Sequence, residues 1–166
     1  FTTQAQCDLL FSEYAEGTSN NKYLEIFNPT SADISLDDYA FPSVSNAPTT
    51  PGVHEYWNTF TLGAIIPAGG LYIIAHGSSD ASILALANQT HTYLSNGDDG
   101  YQLVFGTEVS HVVVDAIGDF MADPGAGWDV AGTTEATKDH VLIRKSTVTQ
   151  GNPDWASSAG TDITDS

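Results

Sequence analysis

Glu13 and Glu16, three residues apart, are the first residues in the chain whose type and spacing admit acid–base chemistry. Hydrolysis by paired carboxylates needs two carboxyl groups facing one cleft about 5–10 Å apart. Here one acid sits near a strand end and the other at the following turn, so a structural role is the better reading. Glu13 and Glu25 lie in short runs rich in apolar residues, where an ionised carboxylate must be paired. Lys22 and Arg144 are the cations expected to pair with them. No residue is assigned a catalytic role.

Asp98 and Asp99, within Asn96-Gly97-Asp98-Asp99-Gly100, are the candidate metal ligands. Calcium takes six to eight oxygens, and a glycine-flanked turn offers backbone carbonyls beside its carboxylates. Ca²⁺ is thus the one candidate cofactor; the run is not an EF-hand loop, and Asn-Gly and Asp-Gly are also ordinary turn formers that need no metal. The histidines at 54, 76, 91, 111 and 140 share no spacing that would place two on one metal. Neither a G-x-S-x-G elbow nor a phosphate-cradling glycine loop is present. Tyr56 and Trp57 follow a Pro-rich loop and are candidate ligand-contact aromatics for sugar stacking. In an alternating strand one of them would point inward and the other toward solvent.

The charge balance narrows the partners. The chain of 166 residues carries 21 Asp+Glu against 4 Lys+Arg, a net charge of −17. Fourteen of the acids lie between Lys22 and Lys138, a stretch without one basic residue. Nucleic-acid affinity comes largely from Lys and Arg displacing counterions from phosphates, so direct binding of DNA or RNA is not expected. Anionic lipid is disfavoured in the same way, and no apolar run of membrane-spanning length occurs. One cysteine, Cys7, excludes an internal disulfide and is read as a spectator thiol. Scarce cysteine, few lysines and abundant Thr, Ser and Asn fit a secreted or cell-surface bacterial protein.

These side chains must be positioned by short strands. Hydrophobicity alternates with a period of two in brief runs closed by turn residues. Strands are predicted over 8–14, 23–27, 39–41, 56–62, 71–76, 101–105, 111–117 and 139–145. The run 71–76 is apolar on both faces and reads as a central strand. Residues 101–105 and 111–117 flank a turn at Gly106-Thr107-Glu108 and read as a hairpin. One short helix is predicted over 81–88, capped by Ser78-Ser79-Asp80. Trp128 and Trp155 are expected to pin irregular loops. About eight strands at regular spacing indicate an antiparallel sandwich or barrel.

Specific blocks then carry a resemblance. Ser12-Glu13-Tyr14-Ala15-Glu16-Gly17-Thr18-Ser19-Asn20-Asn21-Lys22-Tyr23-Leu24-Glu25-Ile26-Phe27-Asn28 resembles the opening of bacterial lamin-tail domains. Ile34-Ser35-Leu36-Asp37-Asp38-Tyr39 and the stretch 62–75 are similar to later segments of that family. So are Val114-Asp115-Ala116-Ile117-Gly118, Asp123-Pro124-Gly125 through Trp128, and residues 140–145. The order holds from about residue 8 to 160. Residues 1–7 are therefore read as an N-terminal extension or signal remnant, 8–160 as the domain and 161–166 as a C-terminal tail. The resemblance implies an all-β, antiparallel immunoglobulin-like β-sandwich with one short helix. It also implies a non-catalytic module of secreted bacterial proteins, often beside a nuclease or another hydrolase. The expected role is attachment to a protein partner, adhesion, or self-assembly through edge strands at the cell surface. The alternatives are a carbohydrate- or Ca²⁺-dependent adhesion module and an accessory domain of a secreted nuclease or hydrolase.

Overall fold

The computed structural model describes residues 9–166. The first strands are β1 (Leu10–Glu16) and β2 (Lys22–Phe27), joined by a turn over 17–21. Short pieces follow: β3 (Ile34–Ser35), β4 (Tyr39–Ala40), β5 (Ser43–Val44) and β6 (Ile65–Ile66). Next come β7 (Leu71–Ala75), helix α1 (Ala81–Leu84) and β8 (Gln89–Thr90). The hairpin strands β9 (Gly100–Thr107) and β10 (Ser110–Ile117) precede β11 (Val141–Ile143) and helix α2 (Trp155–Ala159).

One sheet runs β11-β1-β2-β7-β8; the other runs β10-β9-β4, with β5 also on β9, and β3-β6 form a small third ribbon. Alternation explains the layering. In β2, Lys22, Leu24 and Ile26 are buried while Tyr23, Glu25 and Phe27 are half-buried. The inward set joins Tyr14, Tyr72 and Ile74 of the same sheet. Across the interface, Tyr39, Phe41, Tyr101, Leu103, Val114 and Ile117 complete one core. Two facing sheets closed on this core make the all-β, immunoglobulin-like sandwich that the sequence led us to expect.

Two expectations are corrected. Residues 56–62 form no strand; Tyr56 and Thr59 make only isolated bridges to Ser43 and Ala40, because the Asn58 side-chain amide donates to the Phe41 carbonyl at 3.0 Å and occupies that edge. The strand β7 is interior as expected, with β2 on one side and the two-residue parallel β8 on the other, and only Leu71 at its start is exposed. A second helix, α2, follows the one predicted, its first turn capped by Asp154 accepting from the Ser157 N–H. The thiol of Cys7 and the 1–7 extension lie outside the described residues.

The loops are pinned as Trp128 and Trp155 suggested. Trp128 is buried, donates its indole N–H to the Asp99 carbonyl at 3.2 Å, and meets Trp155 edge-on at 6.3 Å. Among the described residues no helix is long and apolar enough to cross a membrane.

Candidate functional site

Parity along β1 and β2 decides what the predicted acids do. Glu16 and Lys22 face each other in register and share the inward parity of Tyr14 and Leu24. Lys22 Nζ lies 3.2 Å from Glu16 Oε1, with both side chains buried. It also donates to the Ser95 carbonyl (2.5 Å) and to Asn96 Oδ1 (3.0 Å), so the ammonium is fully engaged. Arg144 pairs with Asp115, Nη2 to Oδ2 at 3.1 Å. The expected pairing of Lys22 or Arg144 with Glu13 or Glu25 is therefore corrected: the cations are right, the acids are Glu16 and Asp115. The missed acids carried a signal, since Glu16 has core parity and Asp115 interrupts a run of valines.

Glu13 and Glu25 point outward and sit directly opposite one another across β1 and β2. Tyr23 Oη donates to Glu13 (2.7 Å) and Ser12 Oγ to Glu25 (2.8 Å). Desolvation, then the field of Glu13, raises the Glu25 carboxyl above its ordinary range. The strand registers extend this pair into one row, Ile143–Glu13–Glu25–Ile73. Ile143 is 69% exposed, and Val141 and Leu71 on the same face are also exposed. Beside the row, Tyr23, Ile73, Ile83 and Leu86 wall a groove of about 280 Å³ with the two carboxylates in it.

A larger cleft of about 620 Å³ opens at the β5 end of the sandwich. The loop after β5, the 91–96 segment and Tyr56 surround it, with Lys22 and Tyr101 also in its lining. Tyr56 is 53% exposed. Trp57 turns elsewhere, packing between His54 and His111 at ring distances of 5.3 and 5.2 Å. A second aromatic lines the cleft instead: Tyr93, 80% exposed and flanked by turn residues with no periodicity to announce it.

Asp99 lines this cleft, and together with Asp98 it holds Asn46 at the rim. Asp98 accepts from the Asn46 side-chain amide (2.5 Å) and Asp99 from the Asn46 N–H (3.2 Å), fixing Asn46 at a positive φ of 55°. Burial pushes the Asp99 carboxyl up to about 6. Asp98 Oδ1 is buried without a hydrogen-bond partner. Among the described residues no three His, Cys, Asp or Glu side chains gather to hold a metal ion.

A family model described as Lamin Tail Domain matches residues 2–118. No curated protein matches the chain.

Proposed function

Since the chain belongs to the lamin tail domain family, we propose that it is a non-catalytic, extracellular bacterial interaction module that attaches to a protein partner through the outer face of its five-stranded sheet. The observation that carries this reading is the row Ile143–Glu13–Glu25–Ile73. Like charges directly opposite on neighbouring strands are destabilising, and exposed aliphatic side chains beside them gain nothing from water. Both costs are offset when a partner lays a basic side chain between the carboxylates and aliphatic groups against the rim. An arginine suits the place, because its guanidinium spans two carboxylates and its stem and plane pack on Tyr23.

The partner is a different chain. Lys22 is buried against Glu16 and Arg144 is spent on Asp115, while Lys145 is bonded to the Ile163 carbonyl and to Ser166. Of the four Lys and Arg residues that leaves Lys138, half-buried, as the one a second copy has to offer. A surface of −17 steers basic partners toward it and repels polyphosphates, which supports the absence of direct nucleic-acid contact. The single cysteine and sparse lysines support an extracellular setting.

The test is an amide NMR titration of the whole chain with a twelve-residue peptide alternating arginine and valine. We expect shifts confined to Tyr23, Glu25, Ile73 and Ile143, and about tenfold weaker binding in Glu13→Gln/Glu25→Gln, the size of one charge-assisted contact. Shifts elsewhere, or affinity indifferent to the double substitution, would overturn this assignment.

A further inference from the structure

The cleft beside Asn46 has no part in the proposal above, and its chemistry differs from that of the rest of the molecule. Its volume, about 620 Å³, falls in the range of small-molecule sites. In a chain of net charge −17 its lining holds one lysine and one carboxylate. The lysine is Lys22, already occupied by Glu16, the Ser95 carbonyl and Asn96. The carboxylate is Asp99, which accepts the Asn46 N–H. His91 also lines the cleft; it is set edge-on to Phe41 at 5.4 Å and near Tyr93 at 6.0 Å, and burial lowers its pKa from an already near-neutral value.

Ligand classes sort against this lining. An anion meets no free cation and enters against the field of the whole chain. A hydrophobe would strand the Asn58 side-chain oxygen, whose amide N–H groups already donate to Phe41 and Ser43, the Asn96 side-chain N–H groups, whose oxygen already accepts from Lys22, and the imidazoles of His76 and His91, which is costly. A neutral polyhydroxylated ligand meets neither obstacle. Its hydroxyls both donate and accept, matching amide, imidazole and carboxylate groups. Its apolar C–H face packs on an aromatic ring, and two exposed tyrosines, Tyr56 and Tyr93, stand in the wall with a buried third, Tyr101, whose hydroxyl donates to the Tyr93 carbonyl at 3.2 Å.

We propose that this cleft binds a neutral glycan, with Tyr56 and Tyr93 as its stacking rings and Asn58, Asn96 and Asp99 as its hydroxyl-binding groups.

The test uses retention of the whole chain on cellulose and chitin, and on an array of neutral and acidic oligosaccharides. At least one neutral glycan should retain the wild type. Tyr93→Ala should weaken that retention about tenfold, the size of one aromatic contact, at an unchanged Tm, because the backbone carbonyl that Tyr101 uses remains. Tyr56→Ala should act in the same direction. Glu13→Gln/Glu25→Gln should leave glycan retention untouched while weakening peptide binding at the sheet face, so the two surfaces fail separately. The proposal is overturned if no neutral glycan is retained, if acidic glycans are retained more strongly, or if both tyrosine variants bind like the wild type.

Discussion

Arg144 closes on Asp115 where β11 runs out. The guanidinium Nη2 lies 3.1 Å from Asp115 Oδ2 and 3.2 Å from Oδ1. Beyond the Glu13–Ile143 pairing, the edge of β1 has lost its partner strand. Asp115 fills the gap by accepting the Phe11 N–H at 2.8 Å, and it also accepts from the backbone N–H groups of Ala116 and Asn152. One carboxylate thus ties β1, β10 and the C-terminal segment together. Burial pushes its pKa up even with Arg144 beside it, so the arginine is what keeps a charge tolerable there.

Arg144→Met should therefore cost about 3–5 kcal/mol of unfolding free energy, the usual penalty for stranding a buried charge. Lys145→Met, one residue on and exposed, should stay within about 0.5 kcal/mol. Urea denaturation of the two variants checks the contrast; equal losses would show that Asp115 does not depend on its cation.

Gly118 should resist replacement. Its φ is +72°, and a Cβ there would lie 2.5 Å from the Trp128 indole. Gly125 has a similar φ of +86° but open space around it. Gly125→Ala should cost only the backbone term, about 1–2 kcal/mol. Gly118→Ala adds the clash, about 1–3 kcal/mol more. Thermal melts of both variants separate the two effects.

Asp99 gives the fold a pH signature of unusual sign for a carboxylate. Its folded pKa is about 6, above the value of about 3.9 for an unfolded Asp. The folded state therefore binds more protons between pH 4 and 6, and this residue's contribution to stability falls as pH rises through that window. Asp99→Asn, which keeps an oxygen for the Asn46 N–H, should remove that fall. The difference in Tm between variant and wild type should grow from pH 4 to pH 6 and then level off. A difference independent of pH would refute the assignment.

The sandwich was legible because period-two runs and glycine-rich turns report local geometry. The 101–117 hairpin and the β1–β2 pair announced themselves in this way. The partners of Lys22 and Arg144 were harder to read. Glu16 could have been found from parity with Tyr14, since alternation sends Glu13 and Glu25 outward as surely as it sends Glu16 and Lys22 in. Asp115 and Arg144 are 29 residues apart, and only the pairing of β1 with β11 and its packing beside β10 brings them together. The failure of 56–62 to form a strand had a different cause: a side-chain amide replaced a backbone donor at the edge, and no residue pattern marks that. Tyr93 went unnoticed because an isolated aromatic between turns has no period. Its meaning comes from the cleft, which loops distant in sequence assemble.

Glu25 sharpens the distinction between folding and binding. Its carboxyl is raised first by desolvation and then by Glu13 opposite, with Ser12 opposing both. A raised folded pKa means that the charge costs stability at neutral pH and ceases to do so once acid protonates it. Glu25→Gln keeps the acceptor for Ser12 and removes the repulsion. It should stabilise the fold at pH 7 by about 0.2–1 kcal/mol, the size of a cross-strand pair term, and should lose that advantage below pH 4. The same substitution should weaken the arginine–valine peptide. Stability gained together with affinity lost identifies a residue kept for its partner, whereas a gain in both would return Glu25 to the solvated surface.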